Sequence, residues 1–229
     1  MSFNYKFHPD TPEIIKKSFA EIMNSKYDLE ELASQSLEIE TKLNTCIWQH
    51  TDNYSELSKT ALWLRESRPS FISPAHCFNN YVDALIKDLF YDHFYKAEDD
   101  EFISMTLRSA QVTIELHNTL LSIKSGLDRL TSILSQFYKG ISKNSTFGHQ
   151  KTKENGSVSY TGLLMYCSQM KEKDELFSYI LSEYENWIAD CVKPRDAIVH
   201  YKDFFTRYVW CSDMGVEIPI SINQKKMKT

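Results

Sequence analysis

Six Gly and six Pro in a chain of 229 residues constrain the fold more than any other feature of this sequence. Sandwiches and barrels need many tight turns, and tight turns draw on Gly and Pro. So little turn chemistry, set among long apolar runs at three-and-four spacing, predicts long helices and an all-α fold. Hydrophobic residues make up 42% of the chain and charged residues 25%, enough for one substantial core. The expected architecture is a multi-helix up-and-down bundle forming a single domain, 1–229. It would comprise an accessory helical part over 1–100, a helical core over 101–205, and a short hairpin or extended tail over 206–229.

The helix signals are local and specific. Asp10 or Thr11 can cap a first helix with Pro12 at its first position, followed by Ile14, Ile15, Phe19, Ile22 and Met23. Leu29, Leu32, Ile39, Leu43 and Ile47 predict a second helix over Leu29–His50, with Ser36 interrupting the stripe. A short third helix is expected over Leu57–Arg65, broken by Arg68-Pro69-Ser70, with Ser73-Pro74 capping a new helix that carries Phe78 to Phe90. The longest pattern runs over about 102–139. Inside it Gly126, which costs about 1 kcal/mol against Ala, marks close packing or a kink. Residues 140–160 read as a mobile loop. Thr161 and Asp174 can cap two further helices, and Lys193-Pro194 interrupts the second. A helical turn or more is expected from Arg195 to about Phe205. Tyr208–Trp210 and Val216–Ile220 then flank a turn in a plausible hairpin, with Pro219 confining it to an edge.

Several functional classes are disfavoured. The net charge of −5 lacks the basic excess of a dedicated double-stranded DNA binder, although a local pocket for one strand is compatible with it. Five Cys, an odd number with no CxxC pair, argue against a disulfide framework or structural zinc. Asp92, His93 and the acidic run Glu98–Glu101 match no metal-ligand spacing and read as a charged helix end. His117 and Asp128, eleven apart, share a helix face, but a solvated or satisfied histidine is the plainer reading. No Walker or dinucleotide glycine pattern occurs, so no cofactor and no metal are expected. Neither a signal-peptide core nor a membrane-length apolar run occurs, so the expected location is the cytoplasm, with no membrane partner.

One segment carries chemistry: Trp187, then Arg195-Asp196-Ala197-Ile198-Val199-His200-Tyr201. Metal-free RNA cleavage needs a base for the 2′-hydroxyl, a cation for the phosphate and a proton for the leaving oxygen. Histidine titrates in the right range for proton transfer. Arginine forks onto two phosphate oxygens and keeps its charge. Asp196 and His200, four apart, share a helix face, so the carboxylate can orient the imidazole or favour its charged form. Lys193, Tyr201 and Lys202 flank the motif as candidate substrate contacts, although solvated surface charge is the plainer reading of the two lysines. On a straight helix, positions five apart point about 140° away from each other. Arg195 and His200 therefore share one site only if the long arginine reaches around or a second copy helps.

This pattern resembles the Arg-x4–6-His signature of the HEPN superfamily (higher eukaryotes and prokaryotes nucleotide-binding), in which it lies near the end of the last major helix of a small bundle. The stretch Leu116–Leu134, containing Asp128, is similar to the family's early core helix, so the resemblance spans about 102–201. It implies a homodimer whose two motifs meet in one cleft, an endoribonuclease producing 2′,3′-cyclic phosphate ends, and a setting in defence or toxin–antitoxin systems with an antitoxin or other protein partner. Some members carry a modifiable Tyr two positions after the His. Lys202 stands there in this chain, so that regulation is not carried over. The alternative is a non-catalytic helical module that binds a nucleotide, a nucleic acid or a protein in the same groove.

Overall fold

The computed structural model describes residues 6–50, 54–93, 105–142, 145–152 and 156–193, with four short strands between 204 and 222. It is mainly helical, as the scarcity of turn residues predicts. The helices are α1 (Glu13–Asn24), α2 (Leu29–His50), α3 (Tyr54–Leu89), α4 (Met105–Phe137), α5 (Gly162–Met170) and α6 (Glu175–Glu183). The chain clusters into two compact units. One comprises Met1–Tyr27, Ala75–Thr119 and Ala197–Thr229; the other comprises Asp28–Pro74 and Leu120–Asp196. α3 and α4 each run through both, so the units cut across the 1–100, 101–205 and 206–229 parts expected from sequence.

The first unit buries Val82, Leu85, Ile86 and Phe90 of α3 with Val112 and Leu116 of α4 and Ile15 of α1. Phe19 meets Phe90 edge-on with ring centroids 5.7 Å apart. Pro12 is the cap residue of α1 rather than its first helical residue. The Thr11 hydroxyl, expected to cap, donates instead to the His93 carbonyl at 3.3 Å. Asn79 holds the backbone of Tyr27 at both ends, accepting from its N–H and donating to its carbonyl, each at 2.9 Å.

In the second unit α2 starts where the apolar stripe predicts, and Asp28 Oδ1 caps it by accepting from the N–H groups of Glu30 and Glu31. α3 corrects the sequence reading. The expected break over 68–70 and restart at Ser73-Pro74 are absent, and one helix of 36 residues contains both Pro69 and Pro74. An interior proline deletes a hydrogen bond and crowds the carbonyl four residues back. Burial on both sides of the prolines, from Leu64 and Ser67 to Ala75, Val82 and Ile86, outweighs that cost.

Pro74 also frees the Ser70 carbonyl, and Gly126 of α4 lies against it. A Cβ on Gly126 would stand 2.9 Å from Ser70 O, so α3 and α4 approach here at backbone distance. Of the two roles open to Gly126, close packing is the one observed.

The described residues of 140–160 are more ordered than a mobile loop. Ile141 and Phe147 are buried, and β1 (Gln150–Thr152) pairs antiparallel with β2 (Val158–Tyr160). The Asp174 cap of α6 is present, its side chain accepting from Leu176 N–H. The core here joins Phe147, Leu163, Leu164, Cys167, Phe177 and Tyr184. In the tail the expected hairpin forms, with β4 (Val209–Cys211) against β5 (Gly215–Glu217). β3 (Phe204–Thr206) and β6 (Ile220–Ile222) pair in the same register. Phe204 and Phe205, expected at the end of a helical turn, lie in β3; the rest of that expected turn, 195–203, lies outside the described residues. Pro219 lies outside the described residues.

Two outcomes follow. Gly126→Ala should gain helix propensity but lose more through overpacking against Ser70, a net loss of about 1–3 kcal/mol in urea unfolding. Burial raises the Cys167 thiol to a pKa of about 12, whereas Cys46 is exposed. A thiol reagent at neutral pH should label Cys46 in the native protein and Cys167 only after unfolding, as peptide mass mapping would show.

Candidate functional site

The approach to the Arg195–His200 segment is well defined. After α6 the helix widens into one π-helical turn, Tyr184–Ile188, a geometry that inserts an extra residue and re-aims the faces beyond it. Tyr184 is buried, and its hydroxyl accepts from Gln150 N–H at 2.9 Å, tying the turn to β1. Trp187 is exposed, its indole N–H donating to Glu183 Oε2 at 2.7 Å. Ile188, Ala189 and Val192 are buried, and Lys193 extends into solvent with Asp190 3.9 Å away. An exposed pair at that distance is worth little, which agrees with reading Lys193 as a surface charge. Arg195, Asp196, His200, Tyr201 and Lys202 lie outside the described residues, as do Glu98–Glu101.

A second constellation sits within the Asp28–Pro74 and Leu120–Asp196 unit. A cleft of about 420 Å³ opens between α3, α4 and the segment after α4. Five hydroxyl side chains line it: Ser70, Ser125, Ser132, Ser145 and Thr146. Asp128 and Arg129 complete the lining, so among the described residues no apolar one contributes to it. Arg129 is held by two groups of α3. Its Nε donates to Ser67 Oγ at 2.6 Å, and its guanidinium lies 4.4 Å from the centroid of the Trp63 ring. Ser67 is fully buried and donates onward to the Trp63 carbonyl at 2.6 Å. The terminal guanidinium nitrogens have no hydrogen-bond partner among the described residues.

Asp128 is a junction. Its Oδ1 accepts from Lys124 Nζ at 2.5 Å and from Phe147 N–H at 2.7 Å, fixing the segment after α4 against the helix. By spacing, His117 and Asp128 share one helix face three turns apart. The structure gives them separate surroundings: Asp128 is committed to Lys124 and Phe147, and partial burial holds His117 below the ordinary histidine range. Among the described residues no group of three His, Cys, Asp or Glu could hold a metal, and no helix is long and apolar enough to cross a membrane.

A third feature, an apolar pocket of about 360 Å³, is lined by Leu32, Ile39 and Leu43 of α2, Leu64 and Phe71 of α3 and Ile133 of α4, among others. At its edge Glu40 pairs with Arg68.

Sequence reasoning missed the Arg129 site. Ser125, Arg129 and Ser132 follow one another at spacings of four and three, a polar stripe that α4's periodicity could have shown. Its partners, Trp63 and Ser67, are more than sixty positions away, and nothing local announces the pairing. No protein-family model, curated protein or solved structure matches the chain.

Removing the buried hydroxyl tests how Arg129 is held. Ser67→Ala should strand Arg129 Nε without its acceptor and lower stability by about 1–3 kcal/mol in a denaturant titration.

Proposed function

We propose that this chain is a metal-independent endoribonuclease that works as a homodimer. The observation that carries the reading is the Arg195-Asp196-x3-His200 motif, which follows in sequence the buried residues Tyr184, Ile188 and Val192. Arg195 grips the scissile phosphate, His200 moves the proton and Asp196 sets the imidazole's orientation. Two copies bring their motifs into one cleft, which answers the opposed directions of Arg195 and His200 on a helix. The product is a 2′,3′-cyclic phosphate. A role in defence, with a protein antitoxin as partner, fits such an activity, and the cytoplasm is where its RNA substrate lies.

A second reading, a non-catalytic binding module, is favoured by the apolar pocket among α2, α3 and α4, which has the size and lining of a ligand site. The two readings separate on turnover. Purified chain incubated with RNA in EDTA should release cyclic-phosphate ends. His200→Ala should slow release by about 10²–10⁴-fold, the weight of a general acid–base group. Equal cleavage by wild type and variant removes His200 from the chemistry, and no cleavage by either favours the binding module.

A further inference from the structure

We propose that the cleft at Arg129 is a binding site for a sugar phosphate, independently of the ribonuclease reading. Arg129 is held on two sides. One of its donors, Nε, is spent on a buried serine, and its flat face is covered by Trp63. What remains is the terminal fork, whose paired N–H groups match two oxygens of a phosphate or carboxylate. The side chain is therefore oriented before any ligand arrives, which removes much of the ordering cost of binding.

The lining chooses between anions. A carboxylate has two oxygens, and the fork alone can satisfy them. Five hydroxyl side chains beside it supply further donors for a third phosphoryl oxygen, and acceptors for hydroxyls on the rest of the ligand. Asp128 adds another acceptor: both of its hydrogen bonds go to Oδ1, so Oδ2 carries none from the described residues. With Lys124 offsetting Asp128, the charge of Arg129 is left over, and the cleft favours a net anion.

The same lining excludes other ligands. Among the described residues no apolar side chain lines the cleft, and the Trp63 ring beside it is already covered by the guanidinium. A nucleobase would have nothing to stack on. A polyhydroxylated body with a phosphate monoester is the ligand class that uses every group present, and about 420 Å³ lies within the range of small-molecule sites.

Isothermal titration of the full chain with glucose 6-phosphate, inorganic phosphate, glucose and gluconate tests this. Glucose 6-phosphate should bind saturably and more tightly than the other three. Arg129→Gln should weaken that binding by about tenfold or more, with the far-UV circular dichroism of the wild type. If that variant fails to fold, Ser125→Ala with Ser132→Ala leaves the Trp63–Arg129–Ser67 arrangement intact and should weaken binding severalfold. Absence of saturable binding at millimolar concentration, or undiminished binding by these variants, overturns the proposal. Inorganic phosphate or gluconate binding as tightly as glucose 6-phosphate would overturn it too, because the site would then read a bare anion or a carboxylate.

Discussion

The close approach of α3 and α4 at Gly126 governs much of what the larger unit can do. Pro74 strips the Ser70 carbonyl of its helical donor, and Gly126 brings no side chain to hold α4 away from it. The approach sets the distance between the facing rows above and below. It lets Arg129, one turn along α4, reach Trp63 and Ser67, one to two turns back along α3. A larger residue at 126 would push the helices apart and act first on that arginine. The glycine and the proline, each unfavourable inside its own helix, are thus complementary across the contact.

Polar groups do structural work around this contact, and they do it in chains. Ser67 links the Trp63 carbonyl to Arg129, and Asp128 links Lys124 to the backbone of Phe147. Phe147 then enters the core with Tyr184, whose hydroxyl ties down Gln150. Each buried polar atom in these chains has a partner, as a low-dielectric interior requires. After α4, Phe147 and Gln150 are each held by one such link and the Phe147 ring is buried, and local composition carries no trace of that.

The two functional readings use different parts of the chain. The proposed nuclease motif follows the π-helical turn in sequence. The proposed sugar-phosphate site lies on α4 and α3. Both rest on one physical idea, an arginine set to receive phosphate. They differ in what accompanies it: a histidine suited to proton transfer at 200, and only hydroxyls and a carboxylate around 129. The first arrangement is suited to chemistry, the second to recognition.

The sequence by itself determined the helical class, because scarce Gly and Pro and a three-and-four apolar rhythm act within a few residues of one another. α2, the Asp174 cap and the C-terminal hairpin were legible for the same reason. So was the candidate motif, as a pattern of residue types. The tertiary structure alone decided that α3 continues through two prolines, because the compensating burial comes from residues far along the chain. It also decided that Phe147 anchors a segment composed like a loop, and that Arg129 is held by Ser67 and Trp63. Those outcomes depend on contacts across sixty residues or on the donors left after others are satisfied, and neither quantity is written in local spacing.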